Sequence, residues 1–298
     1  MSQRGETWSR FRRHRAALVS TGVLALMLGT CLLTLPWSVA GMRLQQLDQA
    51  RCAPSRPYPL GTDEVGRSVL WRTLYGGAIS LSLGLLAAGI AVLIGTLYGA
   101  LAGYRGGRCD EIMMRVVDVL YALPTLLLVM LFTVSVGTWL ERAHLLSREP
   151  ARLLVLALAI GGVSWLTMAR VVRGQVLSLR EQPFIEAARA LGLPTRRILL
   201  RHILPNLVAP ITVFATLTVP QAILQESFLS FLGVGVQPPQ ATWGSLAADG
   251  VRLLNPVRCD WWLVVFPCAA LSVTLLALNF VGDGLRDALD VRGERAPR

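Results

Sequence analysis

Six apolar runs set the terms for this chain, because each is about as long as the roughly 20 residues a helix needs to cross a bilayer. They occupy residues 16–37, 77–102, 112–136, 153–169, 207–232 and 261–281. The fifth contains Pro210 and Pro220, which predict a kink or a break into two pieces. Charged residues make up 16% of the chain, against roughly 25% in soluble domains. That balance excludes a disordered chain, a collagen and a disulfide scaffold. It fits an all-α integral membrane protein with six transmembrane helices.

The first run follows a basic segment with Arg10, Arg12, Arg13 and Arg15, and Ser38, Val39 and Ala40 have the small-residue look of a signal cleavage site. Its apolar stretch exceeds the 7–15 residues of a signal core, so it reads as a retained anchor. With the N-terminus inside, the inner segments carry 19 of the 29 Arg and the outer ones 10. The positive-inside rule then places both termini in the cytoplasm. The organisation read from the sequence is a cytoplasmic segment at 1–15, a first helix and outer loop at 16–76, a core at 77–281 and a cytoplasmic tail at 282–298. Trp139, Trp243, Trp261 and Trp262 fall near the outer interfaces, as an aromatic belt would.

The net charge is +11, and every basic side chain is Arg. Without Lys the chain can form neither a Schiff base nor a nucleotide-binding P-loop. Any ATP it depends on must be bound by another chain. Its charge is spread over inner and outer segments, so the basic balance is no sign of nucleic acid. His14, His144 and His202 are scattered, and Cys31, Cys52, Cys109, Cys259 and Cys268 show no metal spacing. No catalytic constellation stands out, which argues against an intramembrane enzyme. Cys52 and Cys259 both fall outside, where a bridge is chemically allowed.

Between the fourth and fifth runs lies an inner segment too polar to span, residues 180–206. It reads as two short helices. Pro183 starts the first and Gly192 follows its end; Pro194 starts the second, with Arg196, Arg197 and Arg201, and Pro205 closes it. Phe184, Ala187, Ala188 and Leu191 share one face by their spacing. Glu186 sits near the helix start, where the dipole favours a carboxylate.

Glu186, Ala187 and Ala188, then Gly192 after three residues, then His202 and Pro205, resemble the EAA signature of ABC importer permeases. Further segments are similar to the peptide and nickel group of that family: LGTDEVGR at 60–67, GYRGG at 103–107 with Asp110, Arg115, Asp118 and Pro124, FLSFLGVGVQPP at 228–239 with Trp243 and Gly244, and GDGLRD at 282–287 with Asp290. Their order resembles the second, C-type permease of oligopeptide and dipeptide importers. Ser68 departs from the Asp often found there.

The resemblance implies a type I importer permease fold, with coupling helices at 183–205 that dock on cytoplasmic ATPases. Coupling would rest on Glu186, Ala187, Ala188, Gly192, Arg196, Arg197, His202 and Pro205. It also implies a heterodimer with a homologous permease, two ATPase chains that bind ATP and Mg, an external binding protein and a bacterial inner membrane. The chain itself would carry no cofactor. Nickel or another small solute is the alternative cargo. A stand-alone channel would need no coupling loop. Thr218, Gln221, Gln225 and Glu226 are the candidate pathway residues, since polar groups inside a span are costly and tend to be functional. Arg115 and Asp118, three apart, read as a charge-compensating pair. Asp283, Arg286 and Asp287 read as a short solvated helix.

Overall fold

The computed structural model describes residues 9–12, 14–142, 148–254 and 259–289. The described part is helical: α1 Arg15–Leu33, α2 Leu35–Arg43, α3 Val69–Arg105, α4 Gly107–Tyr121, α5 Thr125–Arg142, α6 Arg148–Arg180, α7 Pro183–Ala190, α8 Thr195–Ile198, α9 Leu204–Phe231, α10 Trp243–Leu253 and α11 Trp262–Leu289. Among the described residues there is no named strand, only an isolated bridge between Thr62 and Ser68. Five helices are long and apolar enough to cross a bilayer, and a bent pair makes six if it counts as one crossing.

That pair corrects the third run. Instead of one span over 112–136, α4 and α5 meet at 91°. Pro124 ends α4, since the residue before proline is pushed out of the helical region. Residues 16–37 are likewise divided, with α2 starting at Leu35 and Pro36 in its first turn. Ser38 and Val39 lie in α2, where Val39 packs beside Met42, Tyr75 and Leu246. The second span begins eight residues earlier than expected, at Val69. Asp283, Arg286 and Asp287 continue α11 rather than forming a separate helix.

The prolines of the fifth run do not break it. Pro210 and Pro220 lie inside a continuous α9. Nor does Pro205 close a second short helix. A π turn, Leu199–Ile203, joins α8 to α9, and the Leu204 N–H reaches back five residues to the Leu199 carbonyl. The wider turn accommodates Pro205, which has no N–H to give. Residues 195–231 thereby form one helical span.

The most extensive helix pairing is α3 with α6. Gly95, Gly99 and Gly103, four apart on α3, face Met168, Ala169, Arg173 and Val176 of α6. A Cβ at Gly95 would lie 2.5 Å from the Met168 Cβ, and one at Gly103 would lie 2.9 Å from the Arg173 carbonyl. Small residues at this spacing let backbones approach, the main source of helix association in a bilayer. Tyr98 and Trp165 meet edge-on beside the stripe, 4.8 Å apart.

Two tryptophans assigned to an interfacial belt are core residues instead. Trp243 and Trp262 are 1% and 6% exposed. Trp243 Nε1 donates to the Thr73 carbonyl at 2.9 Å, and Trp262 Nε1 to the Thr62 carbonyl at 3.2 Å. Buried indoles need such partners. Trp139 and Trp261 remain exposed.

Candidate functional site: a coupling face and a polar groove

The segment after α6 is held by a core that the chain builds for itself. Ile185 and Ala188 of α7, with Ile198 and Ile203, are buried against Ala100, Val172 and Val176. The Arg189 guanidinium lies 5.1 Å over the Tyr104 ring, and Arg180 Nη1 donates to the Gly103 carbonyl at 3.2 Å. The end of α7 is a Schellman closure: Gly192 N–H reaches the Arg189 carbonyl at 2.9 Å, and Leu193 N–H reaches Ala188 at 3.2 Å. Gly192 adopts φ +71°, the left-handed region that disfavours a side chain. A Cβ there would meet nothing within 4 Å, so the position opens outward.

This packing corrects the face read from spacing. Ala188 turns inward with Ile185, while Phe184, Ala187 and Leu191 are exposed, Leu191 by 80%. Glu186, Gly192, Arg196, Arg197 and Pro205 are also exposed, and His202 is half-buried. Glu186 makes no side-chain hydrogen bond among the described residues; the dipole alone favours it at the N-terminal turn of α7. The structure therefore presents an apolar patch, one carboxylate and a set of Arg on a rigid, outward surface.

A groove of about 250 Å³ runs between α4, α6 and α9. Thr218, Gln221 and Gln225 line it together, facing Tyr121, Ser164 and Thr167. Glu226 does not join them. It is fully buried on the other side of α9, where its Oε1 accepts from Ser230 Oγ at 2.7 Å and Thr242 Oγ1 at 2.8 Å. Thr242 in turn caps α10 through reciprocal bonds with Ser245, and Ser230 Oγ accepts from Val236 N–H at 3.3 Å. The carboxylate is thus the hub that folds the loop of residues 232–242. Glu226→Ala would strand two buried hydroxyls and destabilise the fold by about 1–3 kcal/mol. Glu226→Gln keeps an acceptor and should lose less. Thermal unfolding of the purified complex measures both.

Several charged pairs were not legible from spacing. Asp118 pairs with Arg170 of α6 at 2.8 Å rather than with Arg115. Asp110 takes both Arg173 Nε and Nη2 at 2.6 Å. At the far end of the bundle, Asp63 Oδ1 accepts from the Val65 and Arg67 backbones, and Oδ2 from Arg67 Nε and Arg72 Nη1. Arg72 reaches on to Asp249 of α10 at 3.5 Å. The LGTDEVGR segment is therefore a turn folded around one carboxylate. All five cysteines are free thiols here, Cys52 and Cys259 of the candidate bridge included; Cys52 Sγ lies 3.5 Å from Gln49 Oε1. His144 and Asp290 lie outside the described residues.

A helical bundle with a broken third span, and an EAA-type loop packed on its own core, define a permease subunit of the type I importer class. A chain of the MetNI methionine ABC transporter, in inward-facing form, shares this fold with a TM-score of 0.57 at 16% identity, covering 74% of this chain and 97% of that one. The family of binding-protein-dependent transport system inner membrane components matches residues 95–294, and the N-terminal transmembrane domain of oligopeptide transport permease C matches residues 2–54. The dipeptide transport system permease protein DppC of Bacillus subtilis is 41% identical over 99% of this chain and 88% of its own length. The oligopeptide transport system permease protein OppC of Escherichia coli is 44% identical over 94% of this chain and 88% of its own length. The chain belongs to this family of ABC importer permeases, in its oligopeptide and dipeptide permease C branch. It is a multi-pass membrane transport subunit and not an enzyme.

Proposed function

We propose that the chain imports di- and oligopeptides as one half of a translocation pathway, paired with a homologous permease. Two cytoplasmic ATPases bind ATP and Mg and dock on residues 183–205, and an external binding protein delivers the peptide. Both termini lie in the cytoplasm of a bacterium whose inner membrane holds the complex. The observation that carries the reading is the outward face of α7, held rigid by Ile185 and Ala188 while Phe184, Glu186, Ala187 and Leu191 stay exposed. The peptide names borne by relatives about 40% identical favour peptide over nickel.

ATP and the ligand must each bind the inward and outward states unequally, or neither could drive the switch. Closure of the ATPase pair would move α7, and the helix that continues into α9 would move with it. Isolation of the intact complex, with mass spectrometry of subunits and bound ligand, tests the proposal. A second permease, ATPases and peptide are the expected finding; the chain alone, or a metal as its cargo, would refute it.

Within the groove, Gln221→Leu removes an exposed amide that a passing peptide can use. Uptake should fall about tenfold, the worth of one hydrogen bond in this setting. Radiolabelled peptide uptake into proteoliposomes checks this, and an unchanged rate would remove Gln221 from the pathway.

A further inference from the structure

We infer that the groove is a polar track for a peptide of about four or five residues, held with its C-terminal carboxylate at Arg170 and its N-terminal end toward Gln225. The inference rests on the peptide-import reading and adds direction, length and a residue to it.

Three observations carry it. The first is the order of groups along the groove. Val163 packs with the cluster that holds Ala222 and Leu229, whereas Met168 packs with the cluster that holds Leu207 and Phe214. Gln225 therefore marks one end and the Thr167–Arg170 turn the other. Lining residues of α9 run from Phe214 to Gln225, eleven steps or about 16 Å. Extended chain covers about 3.4 Å per residue, so the backbone of four or five residues spans that length.

The second is the polarity of the two ends. Gln225 Oε1 is buried and has no hydrogen-bond partner among the described residues. A buried acceptor of this kind calls for a donor, and a peptide N–H or ammonium supplies one. At the other end, the Arg170 guanidinium stacks 4.1 Å over the ring of Tyr121, which lines the groove, and its Nη2 donates to Asp118. A guanidinium carries five N–H donors in a fork that suits a carboxylate. Arg170 is 40% exposed, so it can be approached.

The third is the character of what lies between. Tyr121 Oη and Thr167 Oγ1 are 3.3 Å apart, and Ser164, Thr218 and Gln221 complete the polar lining. These are neutral hydroxyls and amides, partners for a peptide backbone, and they share the groove with apolar side chains such as Leu166, Phe214 and Leu217.

The test uses the intact complex with its ATPases and binding protein in proteoliposomes. A tetrapeptide carries benzoylphenylalanine at its first or its last residue, and crosslinks are mapped by mass spectrometry while uptake is measured in parallel. The last-residue probe should mark the Tyr121–Thr167 end, and the first-residue probe the Gln225 end. Arg170→Gln should erase that polarity and lower uptake about tenfold. Asp118→Asn breaks the same ion pair but keeps the guanidinium, and should retain the polarity. Reversed or mixed labelling in the native complex, labelling outside the groove, or identical behaviour of the two variants would overturn the inference and leave a structural clamp between α4 and α6. Absence of peptide uptake by the native complex would instead refute the import reading itself.

Discussion

Glu186→Arg is expected to cut ATP-driven uptake about 100-fold while the subunit still inserts and folds. The two halves of that expectation come from different sides of α7. Folding depends on Ile185 and Ala188, which are buried, and on the Schellman closure at Gly192. Glu186 takes part in neither, and its carboxylate has no hydrogen bond within the described chain to lose. Docking would depend on the outward side, where placing like charges against each other costs several kcal/mol and each 1.4 kcal/mol is tenfold in affinity. A bulky residue at Gly192 adds a second probe, since the space beyond it is open and only the left-handed backbone resists. Uptake and ligand-stimulated ATP hydrolysis in reconstituted complex would be measured for both changes. Normal values with Glu186→Arg and Gly192→Val combined would end the assignment of this face to the ATPases.

The largest loss of stability is expected from Asp63→Ala. Asp63 anchors four donors, and its partner Arg72 is only 5% exposed. Removing Asp63 leaves the buried Arg72 with only the longer contact to Asp249 at 3.5 Å, and breaking a buried pair in this way costs about 3–5 kcal/mol. The turn of residues 61–68 would open, and with it the seat of the Trp262 indole on the Thr62 carbonyl. The double change Asp63→Ala with Arg72→Leu removes the stranded charge and should recover part of the loss. Thermal unfolding of the detergent-purified complex distinguishes the cases. A double variant no more stable than Asp63→Ala alone would mean that the turn, not the charge, sets the cost.

The spans were legible because a bilayer demands long apolar runs, and the coupling segment because it interrupts them with Arg and a helix-ending glycine. What escaped was whatever depends on a partner distant in sequence. Spacing alone matches Asp118 to Arg115, yet α6 brings Arg170 to it. Glu226 looked like a pathway group because it is an acid inside a span, and its burial reflects a loop sixteen residues further on. Ala188 fell on the right stripe of a helical wheel, but that wheel does not say which neighbour supplies the core. Pro205 read as a stop, since a local rule has no place for the π turn that absorbs it.

The same π turn gives α8 and α9 a mechanical character. A helix of 37 residues is about 55 Å long, and Pro210 and Pro220 lie inside it without dividing it. Its one end carries Arg196 and Arg197, and Gln221 and Gln225 stand on it 24 to 29 residues further along. Such a rod acts as a lever: a tilt of about 10° at the first end sweeps the other through roughly 10 Å for a helix of this length. In this fold the stroke of an engine docked on the loop and the shape of the groove would be two readings of one angle.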